Sequence, residues 1–307
     1  MIDLSVKIGS LRLNNPLLPA SGTFGYGTEF MKFYDVDQYG AIITKSLTLE
    51  PRSGNIMPRI AETHCGLLNS IGLANVGLDI FLNETLEELQ DITCPIIVNI
   101  AGSTVDEYIE IAKQLSPIKK IKGIEVNISC PNVRQGGMAF GTDPDITSKI
   151  VSSIREVYDK TLIVKLTPNV TDIGIIARSA VDAGADALSL INTVLGMRID
   201  INTKKPLLGT ITGGLSGPAI KPIALAKVLQ VARSVDVPVI GIGGITSWED
   251  VIEFLIAGAT AVEIGSMHFI DPSGPQLMLE GIKNYCKRHS INKITELTNS
   301  LEMEDND

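Results

Sequence analysis

Ala183-Gly184-Ala185-Asp186-Ala187 and Ala257-Gly258-Ala259-Thr260-Ala261 follow one pattern. Each ends an amphipathic run at a glycine, placed where a helix needs a left-handed C′ residue, and then enters an apolar strand. Glycine has no Cβ to clash in that conformation, so the chain reverses tightly from helix into strand. The upstream runs support the helices: Ile173, Ile176, Ala177 and Ala180 share a face, and Val251, Phe254 and Leu255 follow a Ser247/Asp250 capping box. Both stretches read as the returning half of βα units in one parallel sheet.

The same alternation extends through the chain. Short β-branched runs begin near Asn15, Gly40, Pro95, Gly123, Thr161, Asp186, Val237 and Ala261, and Val105, Tyr108, Ile109, Ala112 and Leu115 form a further helical face. Longer intervals follow the second, fourth and sixth runs, at residues 46–94, 131–160 and 192–236. The pattern predicts an α/β fold: a single (β/α)8 TIM barrel over residues 1–307, with its insertions at the C-terminal face where such barrels place active sites. Residues 1–14 lie outside the repeat as an N-terminal β-hairpin around Gly9-Ser10, expected to close the barrel bottom. Residues 302–307 are an acidic tail, expected to be disordered. An open doubly wound sheet is the rival, but eight regular units favour closure.

Composition narrows the function. The 307-residue chain is 44% hydrophobic and 20% charged with a net charge of −9, which excludes disordered, collagen-like and disulfide-stapled classes. Without a Lys/Arg cluster it lacks the footprint of a nucleic-acid-binding protein. No apolar run approaches the roughly 18 to 20 residues of a membrane span, and the N-terminus has no signal-peptide pattern. A cytoplasmic location without membrane contact is expected. Cys65, Cys94, Cys130 and Cys286 are scattered, as are His64, His268 and His289, which predicts no metal site and no iron–sulfur cluster on this chain.

Polar residues collect just after the strands: Ser21, Lys45-Ser46, Asn99, Asn127 to Asn132, Lys165, Asn192-Thr193, Gly243-Gly244 and Gly265-Ser266. A lone Gly-Gly is more often a tight turn than a ligand site. Two glycine-bearing pairs after the seventh and eighth strands reverse that preference, because barrel loops there cradle phosphates with backbone N–H groups. Lys45 and Lys165 each end an apolar strand, so each needs an anionic partner: a rim carboxylate, or a flavin that becomes anionic on reduction.

Cys130 differs from the other thiols in its surroundings. A lone cysteine is more often a small buried hydrophobe than a catalyst, a reading that suits Cys94 beside its apolar run. Asn127, Asn132, Gly136 and Gly137 instead make the neighbourhood of Cys130 a polar loop, with a glycine-rich stretch expected to act as a lid. No His or Asp is paired with it by sequence, so proton abstraction is a sharper idea than hydrolysis.

The runs EVNISCPNVRQGGMAFGTDP (125–144), TKSLT (44–48), LNSIGLANVG (68–77), VNIAG (98–102), INT (191–193), GGLSGPAIKP (213–222) and GIGGI (241–245) together resemble the dihydroorotate dehydrogenase family across nearly the whole chain. The resemblance implies a TIM barrel that oxidises (S)-dihydroorotate to orotate in pyrimidine biosynthesis. One FMN per chain would be held by Ser21, Lys45, Ser46, Asn99, Asn127, Lys165, Ile191, Gly217, Gly243, Gly244, Gly265 and Ser266. The substrate would be held by Lys45, Asn69, Ser70, Ile71, Gly72, Leu73, Asn127, Asn132, Asn192 and Thr193. Cys130 would be the catalytic base that takes the C5 proton while FMN takes the C6 hydride.

The membrane-associated class, with its serine base and N-terminal extension, is not matched. GGMAFGTDP resembles the cytoplasmic, NAD-linked class 1B catalytic subunit, which implies a partner subunit carrying FAD and a [2Fe–2S] cluster, and a homodimer of this chain within a heterotetramer. The missing G-x-G-x-x-G fingerprint here agrees with an NAD site on that partner. The alternatives are the fumarate-linked class 1A enzyme, a non-catalytic flavin-binding scaffold or regulator, and a tRNA-modifying flavin barrel, the last disfavoured by the charge. His64-Cys65 departs from the small or proline-containing pair expected before the substrate loop. Cys65 is therefore a second thiol to test near the site, with simple packing as its other reading.

Overall fold

A computed structural model of the chain describes residues 2–129, 140–272 and 274–303. The eight runs form one parallel sheet whose strands, first to eighth, are Leu17–Pro19, Ile42–Ile43, Ile96–Ile100, Ile121–Asn127, Thr161–Lys165, Ala187–Leu190, Val239–Ile242 and Ala261–Ile264. The eighth strand pairs with the first, Val262 opposite Leu17. The seam between first and second is closed by Gly40 N donating to Leu17 O at 2.8 Å. These pairings make a barrel, because a doubly wound sheet would leave two free edges.

Strand composition follows from double burial. Every residue of Ile96–Ile100 and Thr161–Lys165 is buried, as parallel strands covered on one face by helices and filled on the other require. The register sets Asn99 beside Glu125, Asn127 beside Lys165, and Ser189 beside Lys165. Polar side chains from four consecutive strands thus reach one region of the barrel.

Helices on the outside start at side-chain caps. Thr104, Asp143 and Asp172 accept from early helix N–H groups, and Ser247 with Asp250 forms the full capping box before Trp248–Ile256. Such caps contribute about 0.5–2 kcal/mol each. Gly184 and Gly258 take positive φ, 106° and 116°, and a Cβ on Gly258 would come within 2.5 Å of Ala232 Cβ. The buried face of Val105–Leu115 is Tyr108, Ile111, Ala112 and Leu115, so Ile111 replaces the expected Ile109, which lies at its edge.

The two barrel ends differ. Val6–Ile8 and Leu11–Leu13 form the N-terminal hairpin, and Ser10 Oγ lies 2.8 Å from Thr161 Oγ1 where the fifth strand begins. At the opposite end the insertions after the second and sixth strands join as a four-stranded antiparallel sheet: Ile60–Thr63, Gly66–Asn69, Gly213–Ser216 and Val194–Gly196. Asn69 sits opposite Gly214 in this sheet. The sequence patterns do not announce it, since each strand is short and its partner is remote. Among the described residues no helix is long and apolar enough to cross a membrane.

Candidate active site

Between the C-terminal strand ends and the antiparallel sheet lies a cavity of about 590 Å³, within the size range of small-molecule and cofactor sites. Ser21, Lys45, Ser46, Asn127, Lys165, Ile191, Gly217, Gly243, Gly244, Gly265 and Ser266 line it, and so do Asn69, Ser70, Ile71, Gly72, Leu73, Asn192 and Thr193. Residues far apart in sequence therefore meet at one mouth, as barrel strand ends must. Cys130, Asn132 and Gly136 to Ala139 lie outside the described residues. Ser129, next to Cys130 in sequence, is on the cavity wall.

The wall built by the insertions is fixed by backbone bonds. Ser70 N donates to Arg59 O at 2.8 Å, while Asn55 binds the carbonyls of both Ser70 and Ile71. Gly72 and Leu73 have positive φ, and Asn75 Nδ2 donates to Leu73 O at 2.7 Å. Across the cavity Asn192 Nδ2 donates to Asn127 Oδ1 at 3.3 Å, and Asn169 Nδ2 to Thr193 O at 3.0 Å. Amides thus face the cavity from three sides, with donors and acceptors suited to a cyclic amide ligand. Asn55 and Asn169, absent from the sequence-level reading, set this geometry. Their signal is only their place in the insertion after the second strand and just beyond the fifth.

The loops after the seventh and eighth strands are unlike. At Gly244, with φ 72°, a Cβ would stand 2.9 Å from Gly217 O and 2.9 Å from Lys221 N. At Gly265 a Cβ would meet only Ala20 Cβ at 3.9 Å, so that glycine leaves open space toward the cavity. The first glycine is required by the fold, and the second leaves room for close approach of a ligand to backbone. Behind this loop His268 is buried: its Nδ1 is 2.9 Å from Gly265 O, and its Nε2 is 2.5 Å from Tyr39 Oη. Burial brings its imidazole down to about 4, so it is neutral at pH 7.

The two lysines have different partners. Lys45 makes no ion pair among the described residues and stands half-buried on the wall. Lys165 Nζ is 2.6 Å from Glu263 Oε2 and 3.5 Å from Glu125 Oε2, inside the barrel. Its carboxylate partners come from strand interiors, which corrects the expectation of a rim carboxylate or a flavin alone. Glu125 also accepts from Asn99 Nδ2 at 2.5 Å and Ser189 Oγ at 2.6 Å. Burial works against the Lys165 charge, but Glu125 and Glu263 outweigh it and hold the ammonium above the ordinary lysine range. Glu125 is likewise held below its ordinary value, despite burial, by Lys165 and its hydrogen-bond donors. Burial and the Glu125 charge push Glu263 far up.

Asn99 is not on the cavity wall. It is fully buried among these carboxyls, with Oδ1 lacking a partner among the described residues. Cys65 is not itself on the wall: its residue is exposed at the turn between Ile60–Thr63 and Gly66–Asn69, while its carbonyl accepts from Ala219 N at 3.0 Å beside the wall residue Gly217, so it lies near the site without a packing role. Cys94 is half-buried and Cys286 fully buried.

A closed parallel barrel with a polar, glycine-lined cavity at its C-terminal mouth is a TIM-barrel protein with a ligand site at that face. The family model described as dihydroorotate dehydrogenase matches residues 3–285, and the chain belongs to that family. It is 53% identical over 299 residues to a protein of Geotalea uraniireducens named dihydroorotate dehydrogenase B (NAD(+)), catalytic subunit, covering 97% of this chain and 98% of that one. A protein of the same name from Bacteroides thetaiotaomicron is 52% identical over 303 residues, covering 99% of this chain and 100% of its own. The crystal structure of a dihydroorotate dehydrogenase from Eimeria tenella in complex with ferulenol superposes with a TM-score of 0.80 at 21% identity, over 97% of this chain and 88% of that one. At that identity the superposition supports the fold.

Proposed function

We propose that this chain oxidises dihydroorotate to orotate in pyrimidine biosynthesis, as the catalytic subunit of an NAD-linked enzyme. The observation that carries the reading is the mouth itself: Lys45, with no ion pair among the described residues, shares one cavity wall with Asn69, Asn127 and Asn192, a set that suits a carboxylate on a cyclic diamide.

The family implies FMN, and the residues fit it. Gly265 leaves open space where a phosphate would need backbone approach, and Lys165 supplies a cation at the cavity wall. Ser21, Lys45, Ser46, Asn127, Ile191, Gly217, Gly243, Gly244 and Ser266 complete the set that would hold it, with Asn99 buried beneath them. FMN, when bound, supplies the acceptor for the C6 hydride of the substrate.

The chain's own residues do the rest. Lys45 pairs with the substrate carboxylate, and Asn69, Asn127, Asn132, Asn192 and Thr193 fix the ring by its amide edges, with the backbone of Ser70 to Leu73 as a shelf. Cys130, as thiolate, takes the C5 proton; that proton and the C6 hydride leave together the C5=C6 bond of orotate. A thiol of ordinary pKa about 8.5 needs only modest lowering for this work. Electrons then pass to NAD+ through a partner subunit with FAD and a [2Fe–2S] cluster, this chain forming a homodimer within a heterotetramer in the cytoplasm.

The test is anaerobic. Dihydroorotate should bleach the flavin absorbance of the purified chain, and Cys130→Ala should keep its FMN while losing rapid bleaching, with Cys65→Ala behaving as wild type. A colourless preparation that cannot be reconstituted with FMN would sink the reading. Fumarate reduction by the isolated chain would overturn the NAD-linked assignment, while NAD+ reduction only with the partner supports it.

A further inference from the structure

Among the described residues, the barrel interior beneath the mouth sets two carboxyls against one cation. Lys165 Nζ lies 2.6 Å from Glu263 Oε2 and 3.5 Å from Glu125 Oε2, and all three side chains are at most 5% exposed. The first, second and seventh strands, Leu17–Pro19, Ile42–Ile43 and Val239–Ile242, add no ionisable group. The remaining polar neighbours, Asn99 and Ser189, are uncharged and both donate to Glu125. Glu125 thus collects donors on both oxygens. Glu263 has only Lys165, and its Oε1 has no partner among the described residues. Two dry carboxylates would share the single ammonium of Lys165, so one of their two charges would go unbalanced, and Glu263, with fewer donors, is the less stabilised.

We infer that this interior stores one proton on Glu263, making the Lys165–Glu125–Glu263 cluster neutral, and that Glu263 is a positioning residue that holds Lys165 at the cavity floor without adding charge. Burial and repulsion between the two carboxyls act in the same direction. A proton there also removes the repulsion between the two carboxyls that share Lys165. The charge presented to a ligand above Lys165 is then that of a balanced ion pair, neither a bare ammonium nor a net anion. Only this last consequence rests on FMN as the ligand.

Two measurements test this. Infrared spectra of the full chain at pH 8, in H2O and D2O, should show a carbonyl band of a protonated, water-shielded carboxyl. Glu263→Gln should remove it, and so should Glu125→Gln, since Glu263 then ionises as the sole partner of Lys165. Absence of the band in wild type, or its survival in Glu263→Gln, overturns the proposal whether or not FMN binds. The second measurement is the midpoint potential of bound FMN. Each single Gln variant keeps the cluster neutral and should leave the potential unchanged, whereas the double variant leaves a bare ammonium and should raise it. Equal upward shifts from each single variant would mean that both carboxylates are ionised, and would overturn the assignment.

Discussion

Lys45 and Lys165 touch the same cavity from the second and fifth strands of one barrel, yet they live in different physical worlds. Lys165 ends a strand whose every residue is buried, and two carboxyls reach it from the fourth and eighth strands. Lys45 follows a two-residue strand on the wall and has no ion pair among the described residues. A cation compensated by its own fold belongs to the architecture as much as to the chemistry. One left without a partner is kept for a ligand, because nothing in the fold needs its charge.

Removing each lysine is the most direct way to break this contrast. Lys165→Met leaves a buried carboxylate uncompensated and should cost about 3–5 kcal/mol of stability in denaturant unfolding. Lys45→Met should stay within about 0.5 kcal/mol of wild type while abolishing flavin bleaching by dihydroorotate. Equal losses of stability would erase the distinction.

The next effect concerns a buried histidine near the mouth. His268 has an ordinary value of 6.5 and a folded value of about 4, so between these pH values the unfolded chain binds more protons than the native one. The His268 contribution therefore falls as pH drops from 6.5 toward 4, by about 3 kcal/mol for a shift of this size. Glu263, raised in the folded chain, contributes the opposite slope down to the ordinary carboxylate range, and Glu125, whose folded value is lowered, loses its contribution below that range. The histidine's loss is therefore read as a difference: the melting temperature of wild type should fall relative to that of His268→Gln as pH drops from 6.5 toward 4.

A smaller pair of effects divides the glycine loops. Gly244→Ala sets a Cβ against backbone at positive φ and should cost about 1–2 kcal/mol. Gly265→Ala meets open space and should change stability by less than about 0.5 kcal/mol, while weakening FMN retention on gel filtration. Identical behaviour of the two variants would mean that neither loop is shaped for a ligand.

What was legible in the sequence follows from how local each signal is. The eight strands, the Ser247/Asp250 cap and the two glycine reversals rest on patterns a few residues long, and each lies within two residues of its expected start or at its expected position. The mouth sheet rests on pairings such as Asn69 with Gly214, which no periodicity encodes. Glu125 and Glu263 escaped notice for a similar reason. Each is a charge inside a largely apolar strand, and its meaning appears only when Lys165, 40 and 98 residues away, is brought to it. The polar rim was readable because it recurs after strand upon strand. Asn99, expected there, lies below it, since a residue inside a strand points into the barrel filling and not over its edge.

The antiparallel sheet over the mouth also bears on how the shelf it forms there can be exchanged between proteins. Gly66–Asn69 belongs to the insertion after the second strand and Gly213–Ser216 to that after the sixth, and each satisfies the other's backbone. A transplant of the first insertion into another barrel would arrive with a bare strand edge, and a transplant of the second would do the same. The shelf is one module written in two places of the chain, so recombination or design that moves one half must carry the other with it.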